Sequence, residues 1–150
     1  MTKQLVSKRS GVGDAAIYGL VAGIGAGVVM AAYLALGGLF FGEDPASILA
    51  RFAPNKNASP VVGALMHLAM SGVYGVVFGV IAATLLGLAR GRWIVRGLGV
   101  AYGIALVAVA LTMILPSAKS PLLSIPSWHL AAAHILYGLA LGVALTRGAR

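Results

Sequence analysis

No cysteine occurs among the 150 residues, and only three residues are acidic. Without cysteine there is no disulfide framework, no thiolate metal site, no covalent c-type haem and no lipidated thiol. Charge of either sign is scarce, at 9% of residues against about 25% in a typical soluble domain. So few charges do not suffice to cover a globular surface in water. A soluble helical bundle would also need a polar stripe along each helix, and none is present. Reactive sets are missing too: no Ser/His/Asp set, no carboxylate pair and no H-E-x-x-H, so hydrolytic and metalloprotease chemistry lack their parts. This points to a non-catalytic role.

Apolar residues are what the chain has, at 60% of the total with a mean hydropathy of +0.98. Residues 15–41, 61–89, 97–115 and 127–146 contain no Asp, Glu, Lys or Arg. Each run suits the roughly 20 apolar residues that a helix needs to cross a bilayer. The expected fold is an all-α integral membrane four-helix bundle, with 1–150 as a single membrane domain. The first run far exceeds the roughly 7–15 residue core of a signal peptide, and no small-residue cleavage site follows it. It is therefore expected to be a retained span.

The net charge of +8 is distributed as a topology signal and not as a nucleic-acid-binding face. Lys3, Lys8, Arg9, Arg90, Arg92, Arg96, Arg147 and Arg150 fall on one side of the expected spans. Arg51, Lys56 and Lys119 fall on the other, together with Glu43 and Asp44. Basic residues concentrate in cytoplasmic loops, so both termini and the 90–96 loop are expected in the cytoplasm. Trp93 and Trp128 lie at opposite faces, where indoles anchor in the interface. The composition, rich in Ala, Gly and Arg with little Lys, suggests a bacterial inner (cytoplasmic) membrane.

In the first outer loop, Asp44 can cap a short helix with Pro45 at its first position. Pro45–Phe52 then reads as an amphipathic helix, lying in the interface or packed on the bundle through Ile48, Leu49 and Phe52. Pro54-Asn55 and Ser59-Pro60 break the chain before the second span. Pro116, Pro121 and Pro126 suggest that the second outer loop is stiff and extended. Asp14 stands at the entrance to the first span, as a helix cap or a partner of Lys8 or Arg9.

A Tyr-Gly pair recurs in every span: Tyr18-Gly19, Tyr74-Gly75, Tyr102-Gly103 and Tyr137-Gly138. Residues 72–79 match 135–142 best, which suggests a duplicated helical hairpin. Small residues also recur every fourth position, as Ala15, Gly19, Gly23 and Gly27, as Ser71, Gly75 and Gly79, and as Gly138 and Gly142. That spacing makes a ridge on which helix backbones approach closely.

Ionisable residues inside a span raise a functional expectation. His67 lies six positions past Val61, and His134 seven past Ser127, so both imidazoles sit about 10 Å deep at about 1.5 Å per residue. Each has a small residue four positions on, Ser71 or Gly138. Matched depth with space beside each ring suits the two axial ligands of a haem b, or a quinone head group held by a histidine. The third reading needs no cofactor: each imidazole hydrogen-bonds across helices as polar glue. His129, beside Trp128, reads as an interfacial residue.

The string His134-x-x-Tyr137-Gly138-x-x-Leu141-Gly142, with a related stretch from His67 to Gly79, resembles a motif of small four-span bacterial membrane proteins grouped as families of unknown function. The resemblance covers the second and fourth spans and implies the fold and a bacterial cytoplasmic membrane, with no activity to carry over. Small multidrug exporters are similar in size only. They place a carboxylate well inside the first span, where this chain is apolar. The expected role is that of an accessory or assembly subunit, packed on other integral membrane subunits or on copies of itself. A redox subunit holding haem b or quinone between His67 and His134 is the alternative, and a small transporter a third.

Overall fold

A computed structural model describes residues 11–53, 59–86 and 91–148. Lys3, Lys8, Arg9, Lys56, Arg90 and Arg150 of the charge argument, and the Pro54-Asn55 break, lie outside the described residues. Four of the described helices are long and apolar enough to cross a membrane. They are α1 (Val12–Phe40), α3 (Pro60–Leu86), α4 (Arg92–Ser117) and α5 (Ser127–Gly148), with the short α2 (Pro45–Ala50) after α1. No strand is present among the described residues.

Two antiparallel hairpins make up the bundle. α1 packs along α3, α4 packs along α5, and α1 against α5 joins the hairpins, whereas α3 and α4 barely meet. Both hairpins close through glycine. A methyl group on Gly19 would lie 3.2 Å from Gly79 Cα, and one on Gly99 would lie 3.3 Å from Gly142 Cα. One turn on, Gly23 faces Ser71 and Gly75, while Gly103 faces His134 and Gly138. The equivalences are Gly19 with Gly99, Gly23 with Gly103, Gly75 with Gly138 and Gly79 with Gly142. These backbones touch where no side chain fits, which suits a medium in which packing, not water exclusion, holds helices together.

The register differs from the Tyr-Gly pattern in one respect. Tyr74-Gly75 and Tyr137-Gly138 occupy equivalent positions, but Tyr18 and Tyr102 do not. Gly19 corresponds to Gly99, so Tyr102 stands opposite Ala22 in the duplicated frame. Tyr18 accordingly points outward and is exposed, while Tyr102 turns inward.

The loop ends also rhyme. After α1, Gly42 adopts a positive φ of 73° and the N–H of Glu43 returns to the Gly38 carbonyl. After α4, Lys119 adopts a φ of 46° and the N–H of Ser120 returns to the Leu115 carbonyl. Both are Schellman terminations, with a left-handed residue just past the helix.

Two sequence expectations change in detail, and a choice between two readings is decided. α2 forms as its cap suggests, with Asp44 accepting from the Ser47 N–H at 3.1 Å. It packs into the bundle rather than lying on its surface: Ile48 is buried against Gly38, and the Leu49 carbonyl meets Gly63. The loop after α4 is not extended, because Pro121–Ser124 makes a 3-10 turn. α4 itself starts before its charge-free run. Arg92 and Arg96 belong to it, and the Arg96 guanidinium stacks 4.9 Å from the Trp93 ring. Such a side chain lays its stem along apolar surface while its charge reaches outward, so a charge does not end the helix. Near its other end, Pro116 has no N–H and would crowd the Thr112 carbonyl. A π-turn over Ala110–Ile114 absorbs the misfit, with the Leu115 N–H reaching the Ala110 carbonyl. Asp14 accepts from the Gly11 N–H at 3.2 Å, which makes it a cap of α1.

Candidate functional site: three histidines near the loop end

His67 sits on α3 and is buried. Its Nε2–H donates to the Gly27 carbonyl of α1 at 3.0 Å, and its ring lies 4.3 Å from that of Phe52. A carbonyl oxygen only accepts, so Nε2 carries the proton, and Nδ1 has no hydrogen-bond partner among the described residues. The bond crosses the α1–α3 seam one turn beyond the last close glycine contact, where Gly27 meets the Ser71 side chain.

His134 on α5 is half-buried. Its Nδ1–H donates to the Leu130 carbonyl of the preceding turn at 2.8 Å. The two predicted imidazoles hold carbonyls on different helices, His67 on α1 and His134 on its own α5. They are not equivalent positions. The seam register pairs His134 with Ser71, and pairs His67 with Leu130.

Between the hairpins the packing is aromatic. Tyr137 Oη–H donates to the Ser71 carbonyl at 2.7 Å, and Tyr102 Oη–H to the Tyr74 carbonyl at 3.0 Å. The rings of Phe78 and Tyr102 lie 5.1 Å apart. Two of the four Tyr-Gly tyrosines thus tie the second hairpin to α3, Tyr102 from α4 and Tyr137 from α5.

His129 has surroundings that its sequence reading did not anticipate. It is buried inside the bundle, with 5% of its surface exposed, at the start of α5. Tyr33 of α1 stacks on it at 4.8 Å, with its hydroxyl 3.3 Å from Nδ1. Phe41 and Trp128 meet the ring edge-on at 5.9 and 5.2 Å. The ring edge stands over Gly37, where a methyl group would come within 2.6 Å of Nε2. Nε2 is buried without a hydrogen-bond partner among the described residues. Alongside lies a cavity of about 370 Å³, walled by Tyr33, Leu36, Phe40, Phe41 and Trp128 with His129 and Gly37. Sequence gave one usable signal, the Gly37-Gly38 pair at the far end of the first span, but nothing tied it to residue 129. Among the described residues, no group of three or more His, Asp or Glu is arranged to hold a metal ion.

No protein-family model, curated protein or solved structure matches the chain. The geometry of the bundle therefore carries the functional reading.

Proposed function

We propose that this chain is a non-catalytic accessory or assembly subunit of a larger membrane complex, respiratory or photosynthetic, in a bacterial cytoplasmic membrane. One observation carries the reading: six polar side chains within the spans hydrogen-bond to backbone carbonyls. His67 holds Gly27, Tyr137 holds Ser71, Tyr102 holds Tyr74, and His134, Thr84 and Thr112 hold their own helices. The first three bonds fix helices relative to one another, and a rigid bundle is what an assembly subunit supplies. α4 fits that role, since Ile94, Leu98, Ile104, Val109 and Met113 all lie on its open surface.

Positive charge sets the orientation in this reading. Arg92, Arg96 and Arg147 mark the end with the described chain termini, which places that end in the cytoplasm. A cysteine at Lys119 should then label with an impermeant maleimide in intact cells, and one at Arg92 should not. Labelling at Arg92 alone reverses the orientation. For the role itself, cross-linking in native membranes followed by tagged purification should recover a fixed set of integral membrane subunits. Recovery of the chain alone, as a monomer, overturns it.

A second reading rests on the histidine pair. Each imidazole is oriented by a carbonyl through one nitrogen, and the other lacks a hydrogen-bond partner among the described residues; ligand imidazoles are held in this way. A haem b between His67 and His134 would give a Soret band that His67→Ala abolishes, and a colourless protein overturns that reading.

A further inference from the structure

We propose that the end of α4 carrying Arg92, Trp93 and Arg96 binds an anionic phospholipid, its phosphate held by the two guanidinium groups. This goes beyond the accessory role, and it holds whichever side of the membrane that end occupies. Charge is unbalanced there. The sequence has 11 basic residues and only three acidic ones. Glu43 and Asp44 lie at the other end of the bundle, where Glu43 pairs with Arg51 and Asp44 caps α2. Asp14 caps α1 through the Gly11 N–H. Among the described residues, no carboxylate pairs with Arg92, Arg96 or Arg147. Arginine keeps its charge in proteins, so the countercharge comes from outside the chain.

Arg92 and Arg96 stand four residues apart, which puts them on one face of α4. Arg92 is exposed, and the Arg96 guanidinium lies over the Trp93 ring. A guanidinium stacked by its face keeps its N–H edge for an acceptor, and two phosphate oxygens fit that fork. The surroundings select a lipid over a soluble anion or an acidic protein segment. Trp93 is 79% exposed, and indoles settle where head groups meet hydrocarbon. One turn deeper, Gly97 is exposed and nothing lies within 4 Å of a methyl group there. Ala101, a further turn along, is exposed as well. Small residues below a large ring leave a shallow trough that an acyl chain can occupy. Charge, boundary residue and trough thus follow one another as phosphate, glycerol ester and chain do in a phospholipid.

Trp93 stands at this site and Trp128 at the other end of the bundle, so each reports on its own surroundings. The test reconstitutes the Trp128→Phe protein in phosphatidylcholine vesicles with increasing fractions of phosphatidylglycerol carrying brominated chains, which quench a tryptophan that they touch. Brominated phosphatidylcholine is the matched lipid without net charge. Trp93 should be quenched at a lower fraction of the anionic lipid. A basic residue near anionic head groups contributes about fivefold in affinity, so Arg92→Gln or Arg96→Gln should each lower the preference by about that factor. Arg96→Lys, which keeps the charge without the fork, should lose most of what Arg96→Gln loses. Trp128, read in the Trp93→Phe protein, should show no preference. Equal quenching of Trp93 by the two lipids overturns the proposal and leaves an acidic segment of a partner as the countercharge. Equal preference at both tryptophans overturns it too, because it means the general attraction of a basic protein to an anionic bilayer. A preference fully kept in Arg96→Lys overturns the guanidinium–phosphate bond.

Discussion

The two hairpins share a glycine seam and part company one turn beyond it. In the first, the seam runs on into the His67–Gly27 hydrogen bond. In the second, the equivalent positions hold Leu130 and Val107, both buried and both apolar. The same helix crossing is thus finished once by a polar clasp and once by aliphatic packing. Glycine contacts set the crossing, and the residues beyond it are free to vary. That freedom lets the first hairpin carry a histidine at membrane depth.

Breaking the shared part should have the largest effect. Gly75→Leu and Gly138→Leu each drive a side chain into the facing backbone, at Gly23 and at Gly103. Overpacking costs about 1–3 kcal/mol, occasionally more, and backbone yields less readily than a side chain. Gly25→Leu and Gly97→Leu are the matched controls, because nothing lies within 4 Å of a methyl group at either position. Unfolding in detergent followed by circular dichroism should show strong loss for the first pair and almost none for the second. Equal behaviour of the two pairs would mean that the seams are not where the helices meet.

The spans, their number and the glycine ridges were legible in the sequence, because each is written in consecutive turns of one helix. Which ridge meets which was not. Gly19 and Gly79 are brought together only by the chain folding back, and no local pattern marks that pairing. The Tyr-Gly pairs show the limit clearly, since Tyr18 and Tyr102 share a dipeptide but not a position in the duplicated frame. His67 and His134 were legible as isolated polar residues in apolar runs. Their bonds were not, because both acceptors are backbone carbonyls, which every residue has. The burial of His129 was not legible for a related reason. Its neighbour Trp128 is exposed, while its own burial depends on Gly37 and Tyr33, about ninety residues away.

The clasp itself should matter less than the seam. His67→Leu makes the first hairpin resemble the second at this position and removes one interhelical bond. Such bonds within membranes average about 0.6 kcal/mol, with a maximum near 1.7. His67→Leu should therefore cost about that much, and His67→Gln, which can still donate to Gly27, should cost less. Leu130→His is the reciprocal change, and it should destabilise more, because Val107 occupies the place of Gly27 and crowds the approach to the carbonyl. If His67→Gln and His67→Leu lose equal stability, the imidazole acts by filling space and not by its bond.

The smallest effect expected lies at the loop end, where the hairpins terminate alike with different residues. Gly42 and Lys119 both sit in left-handed backbone, at φ of 73° and 46°. Glycine takes that conformation without penalty, whereas a side chain places Cβ near the following carbonyl, at about 1–2 kcal/mol. Lys119→Gly should relieve that strain. Glycine also loses more freedom on folding, by about 0.5–1 kcal/mol, so the net gain should be well under the full strain. Gly42→Lys should lose stability instead, since the same strain is introduced with no offset beyond the unfolded-state term. The pair of substitutions therefore moves stability in opposite directions at equivalent positions, and reversible unfolding of the two variants side by side measures it. A gain from both would mean that the two terminations differ in backbone geometry, and that the rhyme between the hairpins stops at the glycine seams.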